Sequence, residues 1–154
     1  MTTKTTPRGP DALANRWMAW LLRSPLHGLL DGGTMLITVT GRRTGAAYTA
    51  PVNYVPHGGA LIVLSRADRT WWRNARGAAV TLLLRGRERR GYAETIEDPR
   101  EVDAAIHSLI AESPDFRRRF RVRLAPDGRP ERPDRVAWLI ENRVIVRISG
   151  LSGD

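Results

Sequence analysis

The chain has 154 residues, no cysteine and a formal net charge of +9. This length suits a single domain with a buried core. The lack of cysteine excludes disulfides, a thiol nucleophile and a thiolate metal site. No apolar run is long enough to cross a bilayer, and we take the cytoplasm as the expected location. Lys4 is the only lysine, so the positive charge comes from arginines and favours anionic partners in general.

The N-terminal region predicts a leader followed by a helix. Residues 1–10 lack the apolar core of a signal peptide and are predicted to be disordered, which leaves residues 11–154 as one domain. A helix is predicted over residues 11–23. Its apolar face carries Leu13, Trp17, Trp20 and Leu21. Packing against a sheet explains most of this face, whereas Trp20 could also serve a lid over a pocket or a contact with a membrane surface.

The rest of the chain predicts strands joined mostly by hairpins, with helices between them. Strands are predicted over residues 34–40, 47–55, 60–65, 79–85, 88–97, 136–140 and 143–148. Helices are predicted over residues 66–77 and 98–112, with a further short helix from residue 113. This order predicts an α+β fold with an antiparallel sheet of six to seven strands. A small closed barrel is the expected form, because closure removes exposed sheet edges.

A glycine-bounded turn, G-R-R-T-G, follows the first predicted strand. Gly41 and Gly45 can adopt the positive φ angles that a tight turn requires. Arg42, Arg43 and Thr44 then lie on the outside of the bend, where guanidinium and backbone N–H groups could hold an anion such as phosphate. Taken alone, the turn fits a basic hairpin tip in water better than it fits a binding site.

Several other kinds of site find no support in the sequence. The three histidines, His27, His57 and His107, have no second ligand at metal-binding spacing, so no metal site is expected. Nucleophile elbows and glycine-rich nucleotide loops are also missing. The arginine-rich run at residues 117–123 has no recognition motif beside it. It fits a solvated helix face better than a nucleic-acid surface, and no nucleic-acid partner is expected.

A second group of cationic and aromatic residues follows the third predicted strand. Arg66 follows that strand, and Trp71, Trp72 and Asn74 begin the middle helix. If the second and third strands form a hairpin, Arg66 and the G-R-R-T-G turn lie at the same end of the sheet. The free N–H groups of the helix start would point there too. Arginines and flat side chains together suit a planar ring that carries a phosphate, with one tryptophan in the core and the other at the surface or pocket.

Three segments in this order resemble the deazaflavin-dependent nitroreductase family of split β-barrel flavin and deazaflavin oxidoreductases. They are L-I-T-V-T-G-R-R-T-G-x-x-Y-x-x-P-V, V-L-S-R and W-W-R-N-A-R-G. The resemblance implies an antiparallel split β-barrel that binds coenzyme F-420, a deazaflavin with a phosphate and an acidic oligoglutamate tail. A homodimer is also expected of this barrel type.

The resemblance implies two sets of site residues and a reaction. The cofactor set surrounds the turn, the second strand, the end of the third strand and the helix start: Arg42, Arg43, Thr44, Gly45, Tyr48, Ala50, Pro51, Val52, Leu64, Ser65, Arg66, Trp71, Trp72 and Asn74. The substrate set closes the other side of the ring: Trp20, Tyr54, Phe116 and Phe120. The expected reaction is hydride transfer to an electron-poor small molecule such as a quinone, enone or nitro compound. Tyr48 stands where the family often has arginine, so FMN is an alternative cofactor and a non-catalytic ligand-binding barrel is an alternative role.

Overall fold

A computed structural model describes residues 33–153. The strands are β1 (Thr34–Thr40), β2 (Ala47–Asn53), β3 (Val55–His57), β4 (Ala60–Arg66), β5 (Ala78–Leu84), β6 (Arg87–Ile96) and β7 (Arg143–Ser152). The helices are α1 (Trp71–Ala75), α2 (Pro99–Glu112), α3 (Pro114–Phe120) and α4 (Pro133–Ile140). The predicted leader over residues 1–10, the predicted helix over residues 11–23 and Trp20 lie outside the described residues.

The seven strands form one antiparallel sheet in the order β2-β1-β5-β6-β7-β4-β3. The two edge strands of this sheet, β2 and β3, are separated in the chain by Tyr54 alone. Because one segment of chain supplies both edges, the sheet must curl until the edges approach each other. The result is a split barrel, which confirms the predicted α+β class and the split-barrel architecture that the resemblance implies. The closed barrel expected from the strand pattern is wrong, because β2 and β4 do not pair among the described residues.

Side chains alternate across the barrel wall and form two cores. Along β4, Leu61 and Val63 are buried inside the barrel, whereas Ile62 between them packs against the helices. In β7, Val146 likewise faces inward and Ile145 faces the helical layer. This period of two is the signature of a strand buried on both faces. Each such side chain contributes roughly 1.5–3 kcal/mol through burial.

Helices α2 and α3 begin at side-chain caps. Asp98 accepts hydrogen bonds from the N–H groups of Arg100 and Glu101 at 2.9 and 3.2 Å. Ser113 accepts a hydrogen bond from the N–H of Phe116 at 3.1 Å. Such caps satisfy N–H groups that a helix start leaves unpaired. The predicted apolar face of α2 is confirmed as buried, and it consists of Val102, Ile106, Leu109 and Ile110.

The sequence prediction was wrong for two segments. Residues 136–140, predicted as a strand, belong to α4, where Val136 and Leu139 are buried at helical spacing and Trp138 is exposed. The proline at position 133 occupies the first turn of this helix, a position that proline favours. The helix predicted over residues 66–77 is shorter, because Arg66 still belongs to β4 and α1 begins only at Trp71.

A bulge in β6 helps to curve the barrel. The pairing of β6 with β7 shifts between Arg90 and Tyr92. Gly91 lies at this shift, and a Cβ atom there would come within 2.7 Å of the Ile148 Cγ2 atom. The residue must therefore be glycine for the two strands to approach so closely. Bulges of this kind bend a strand and increase its twist.

Candidate functional site

A cleft lies where the barrel does not close, between β2 and β4. Strand β3 pairs only with residues 60–62 of β4, so residues 63–66 have β7 as their only paired neighbour among the described residues. Within residues 33–153, strand β2 pairs only with β1. Backbone groups on both unpaired edges therefore face the opening, where they can bind a ligand. The cleft has a volume of about 480 Å³.

Strand β2 supplies the first wall of the cleft. Tyr48, Ala50 and Val52 line it. They lie in register with three buried residues of the barrel interior, Val39, Ile37 and Met35. Directly paired residues point to the same face of a sheet, so this wall continues the inner surface of the barrel. Tyr48 is 51% exposed, and its hydroxyl has no hydrogen-bond partner among residues 33–153.

The second wall combines the end of β4 with two aromatic side chains. Leu64 and Ser65 line the cleft together with Trp71 and Phe120. The Ser65 hydroxyl donates to the backbone carbonyl of Arg66 at 3.2 Å. Phe120 is held from behind by the fully buried Phe116, whose ring centroid lies 4.5 Å away. The wall is therefore apolar and fixed by packing.

One end of the cleft is basic. Arg66, Arg69 and Arg143 line it, and Asp68 is the one carboxylate among the described residues that line the cleft. Arg66 donates to Asp68 at 2.5 Å in an exposed ion pair. Burial lowers the pKa of Arg143, the nearby charge of Arg66 lowers it further, and Asp68 acts in the opposite direction. This end of the cleft can hold an anionic group.

The structure brings together about half of the predicted site residues. Those that line the cleft are Tyr48, Ala50, Pro51, Val52, Leu64, Ser65, Arg66, Trp71 and Phe120. Those that do not line it are Arg42, Arg43, Thr44, Gly45, Trp72, Asn74, Tyr54 and Phe116. Tyr54 and Phe116 are both buried in the cores. Tyr54 lines a separate cavity, beside Val55 and Pro56, and not the cleft.

The G-R-R-T-G turn packs against the far end of α1 rather than lining the cleft. The Arg42 N–H donates to the Asn74 side-chain oxygen at 3.4 Å, and the Arg42 guanidinium donates to the Arg76 carbonyl. Gly45 has φ of +68°, as the turn prediction required, whereas Gly41 does not adopt a positive φ angle. Trp72 is buried nearby, with the guanidinium of Arg76 5.4 Å from its ring centroid. The tryptophan pair thus divides, with only Trp71 lining the cleft.

Sequence reasoning missed six residues that line the cleft. They are Asn53, Val63, Asp68, Arg69, Thr70 and Arg143. Five of them lie within two residues of a predicted site residue in the chain, and a wider window around the strand ends would have included them. Arg143 is different, because it begins the last strand and reaches the cleft only through the pairing of β7 with β4.

Three further findings bear on the predicted sites and partners. Within residues 33–153, no group of three or more histidine, aspartate and glutamate side chains could hold a metal ion. The His57 side chain is half-buried, and its Nε2 atom lies 3.4 Å from a carboxylate oxygen of Glu112. None of the described helices has the length and apolar character needed to cross a membrane.

Comparison with solved structures finds similar proteins at low sequence identity. The conserved hypothetical protein Rv2991 from Mycobacterium tuberculosis has a TM-score of 0.52 and 17% identity, over 81% of this chain and 79% of its own. A protein described as F420 reductase has a TM-score of 0.45 and 17% identity, over 84% and 97%. The heme storage protein HutZ from Vibrio cholerae has a TM-score of 0.48 and 13% identity, over 84% and 92%. No curated protein sequence matches this chain.

The family assignment comes from the sequence itself. Residues 21–121 match the family described as F420H(2)-dependent quinone reductase. These residues include β1, β2, β4 and α1, which supply most of the cleft. The match confirms the expected kinship with deazaflavin-dependent enzymes. The chain therefore belongs to the F420H(2)-dependent quinone reductase family, a family of oxidoreductases.

Proposed function

We propose that this protein is an F420-dependent reductase that binds the deazaflavin in the cleft between β2 and β4 and reduces a small electron-poor acceptor, with quinones as the leading class. The cleft is the observation that carries the proposal. It combines apolar walls, unpaired strand edges and a basic end in a chain of the F420H(2)-dependent quinone reductase family. Its volume of about 480 Å³ falls within the range of small-molecule sites.

The residues of the cleft fit the chemistry of the cofactor. A flat ring needs two apolar surfaces, which Ala50 and Val52 on one side and Leu64 on the other provide. The polar edge of the ring can bond to backbone N–H and C=O groups of the unpaired strand edges. The phosphate and acidic tail need cations, and Arg66 and Arg143 provide them at one end.

The side chains would bind and orient rather than react. The reduced deazaflavin supplies the hydride when it is bound. Phe120, at the cleft wall, would help to exclude water and to position a flat acceptor. Tyr48 is the only tyrosine of the chain that lines the cleft, so its hydroxyl is our candidate to donate a proton to the reduced acceptor.

A titration with three ligands tests this proposal. The purified protein is mixed with coenzyme F-420, FMN or haem, and binding is followed by fluorescence or absorbance. We expect micromolar affinity for coenzyme F-420 and turnover of the reduced form with a quinone. Tighter binding of FMN than of coenzyme F-420 would identify FMN as the cofactor instead. Binding of haem without turnover of reduced deazaflavin would support a ligand-binding role. Failure to bind any of the three would end the proposal.

A matched pair of variants tests the location of the site. Ala50→Phe would place a ring inside the cleft and should weaken coenzyme binding by at least tenfold. Ala79→Phe adds the same ring at an exposed position of β5 that does not line the cleft, and it should bind like the wild type. Equal affinities for the two variants would show that the coenzyme binds elsewhere.

The other expectations from the sequence stay predictions. A homodimer can be measured by light scattering with and without the coenzyme. Contact of the N-terminal segment with a membrane surface can be measured by vesicle sedimentation. A cytoplasmic location and the lack of a nucleic-acid partner are further predictions, which localisation and salt-dependent binding measurements would check.

A further inference from the structure

Two arginines lie directly opposite each other at the basic end of the cleft. Arg66 on β4 and Arg143 on β7 are paired in register. Both side chains line the cleft. Like charges directly across a strand pair destabilise a sheet. An arrangement of this kind is favourable when an anion lies between the two guanidinium groups.

The Arg143 side chain is poised for such an anion. Its Nε atom is buried and has no hydrogen-bond partner among residues 33–153. A buried donor without a partner costs roughly 1–3 kcal/mol. Burial and the charge of Arg66 both lower the pKa of Arg143, so its charge is incompletely balanced in the free protein. A ligand oxygen could balance this charge and accept a hydrogen bond from the guanidinium.

An exposed tryptophan holds Arg143 in place. The Arg143 guanidinium lies 4.9 Å from the ring centroid of Trp138, which is 53% exposed on α4. Arg135 stacks on the same ring at 5.1 Å. Arg135 also donates to the Phe120 carbonyl at 3.3 and 3.4 Å. The stack thus connects Arg143 to the aromatic wall of the cleft, and it gives the exposed Trp138 a role.

Asp68 forms an ion pair with Arg66, the other arginine at this end of the cleft. Its ion pair with Arg66 has both side chains about 60% exposed. Exposed pairs of this kind contribute roughly 0–1 kcal/mol, so a stronger anion can displace the carboxylate. A phosphate carries more charge and more acceptor oxygens than one carboxylate. A phosphate group of a ligand could therefore replace the Asp68 carboxylate as the ion-pair partner of Arg66.

We propose that Arg66 and Arg143 clamp one phosphate or carboxylate group of the ligand in the cleft, that Trp138 positions Arg143, and that Asp68 competes with the bound group for Arg66. That this group belongs to coenzyme F-420 rests on the proposed function. The clamp itself rests on the strand register and the stack. Trp138 and Arg143 both lie beyond residues 21–121, the part of the chain that matches the family.

Binding titrations with matched variants test the clamp. Arg143→Gln should weaken the binding of coenzyme F-420 about tenfold, which corresponds to the loss of one charge-assisted hydrogen bond. The same variant should leave the affinity for the deazaflavin chromophore without phosphate and tail unchanged. The control is Arg147→Gln, which removes one charge from the same strand at a residue that faces Glu94 at 3.9 Å and does not line the cleft. Equal losses for the two variants would overturn the clamp.

Two further variants separate positioning and competition from general stability. Trp138→Ala should weaken the binding of the coenzyme about threefold to fivefold. Trp138→Phe should keep most of the wild-type affinity, because it keeps an aromatic face for Arg143. Asp68→Asn should bind the coenzyme about threefold more tightly, the opposite of what damage to the fold would cause. Weaker binding by Asp68→Asn would overturn its role as competitor, and equal loss in Trp138→Phe would overturn the stacking role.

Inorganic phosphate tests the clamp even if the coenzyme does not bind. Thermal midpoints are measured with increasing phosphate at constant ionic strength, with chloride as the balancing anion. Phosphate should raise the midpoint of the wild type and of Arg147→Gln, but not that of Arg143→Gln, because only a ligand of the folded state stabilises it. No rise in the wild type would overturn the clamp. A wild type that responds to phosphate yet binds neither deazaflavin would overturn the proposed function alone.

Discussion

Two arginine-bearing regions of this molecule differ in how they are built and in what their charges do. In the turn over residues 41–46, adjacent arginines extend from one tight bend, and Arg42 is engaged with the carbonyl of Arg76. At the basic end of the cleft, Arg66 and Arg143 come from strands far apart in the chain and meet through sheet pairing. The first region is evident in the sequence, and the second exists only in the fold.

The difference shows that adjacent charges in the sequence need not line a cleft in the fold, and a ligand contact of the turn stays a prediction. The Arg42 guanidinium is hydrogen-bonded to the carbonyl of Arg76, just after α1, and the turn does not line the cleft. The charges that do line the cleft are only partly balanced, by Asp68. Unbalanced cations beside apolar walls favour an anionic ligand more strongly than exposed cations on a turn.

The largest expected effect comes from removing both charges of the cleft. The double variant Arg66→Gln with Arg143→Gln should weaken the binding of coenzyme F-420 about 100-fold, because each substitution removes a charge-assisted hydrogen bond to the ligand. Arg42→Gln with Arg43→Gln removes the same formal charge and should weaken binding less than about threefold. Fluorescence titration at fixed salt compares the two. If the turn variant lost as much affinity as the cleft variant, the turn would be the anion site after all.

The sequence predicted the barrel better than it predicted the site. Alternating apolar residues and hairpin turns predicted most strands of the sheet, and they located Ala50 and Leu64 in the strands that border the cleft. They could not show that β7 pairs with β4, because that pairing joins residues far apart in the chain. Residues 136–140 are apolar and partly β-branched, a composition that predicts a strand. In the structure they form a helix, because Val136 and Leu139 are buried at helical spacing.

A smaller effect tests which hydroxyl acts at the cleft. Tyr48→Phe keeps the ring and removes only the hydroxyl, so affinity for the coenzyme should change less than about twofold while kcat for a quinone falls about tenfold. Steady-state kinetics with varied acceptor separate the two effects. Tyr92→Phe is the control, because Tyr92 is also about half exposed but does not line the cleft. An unchanged kcat in Tyr48→Phe would leave solvent as the proton source.

The structural role of the turn should appear in stability rather than in binding. Arg42→Ala removes the hydrogen bond to the Arg76 carbonyl and should lower the free energy of unfolding by about 0.5–1 kcal/mol. Arg43 has no hydrogen bond or ion pair among residues 33–153, and Arg43→Ala should change stability less than about 0.5 kcal/mol. Urea unfolding followed by tryptophan fluorescence compares the two. Equal values would remove the distinction between the paired and the unpaired arginine of the turn.

The smallest effect concerns the ion pair that supports the same end of α1. Arg76 donates two hydrogen bonds to Glu97, at 2.7 and 2.6 Å, and they hold the pKa of Glu97 below the ordinary value of 4.5. A lowered carboxyl pKa means that the stabilisation is fully present above pH 4.5 and is lost as the pH falls through the lowered value. Glu97→Gln should therefore reduce the acid-side slope of stability below pH 4.5 and leave affinity for the coenzyme at neutral pH unchanged. Unfolding curves of both proteins between pH 3 and pH 7, about the range that brackets this titration, measure the slope. A slope identical to that of the wild type would mean that the Arg76 pair makes no contribution to holding α1, and that the turn is anchored by Arg42 alone.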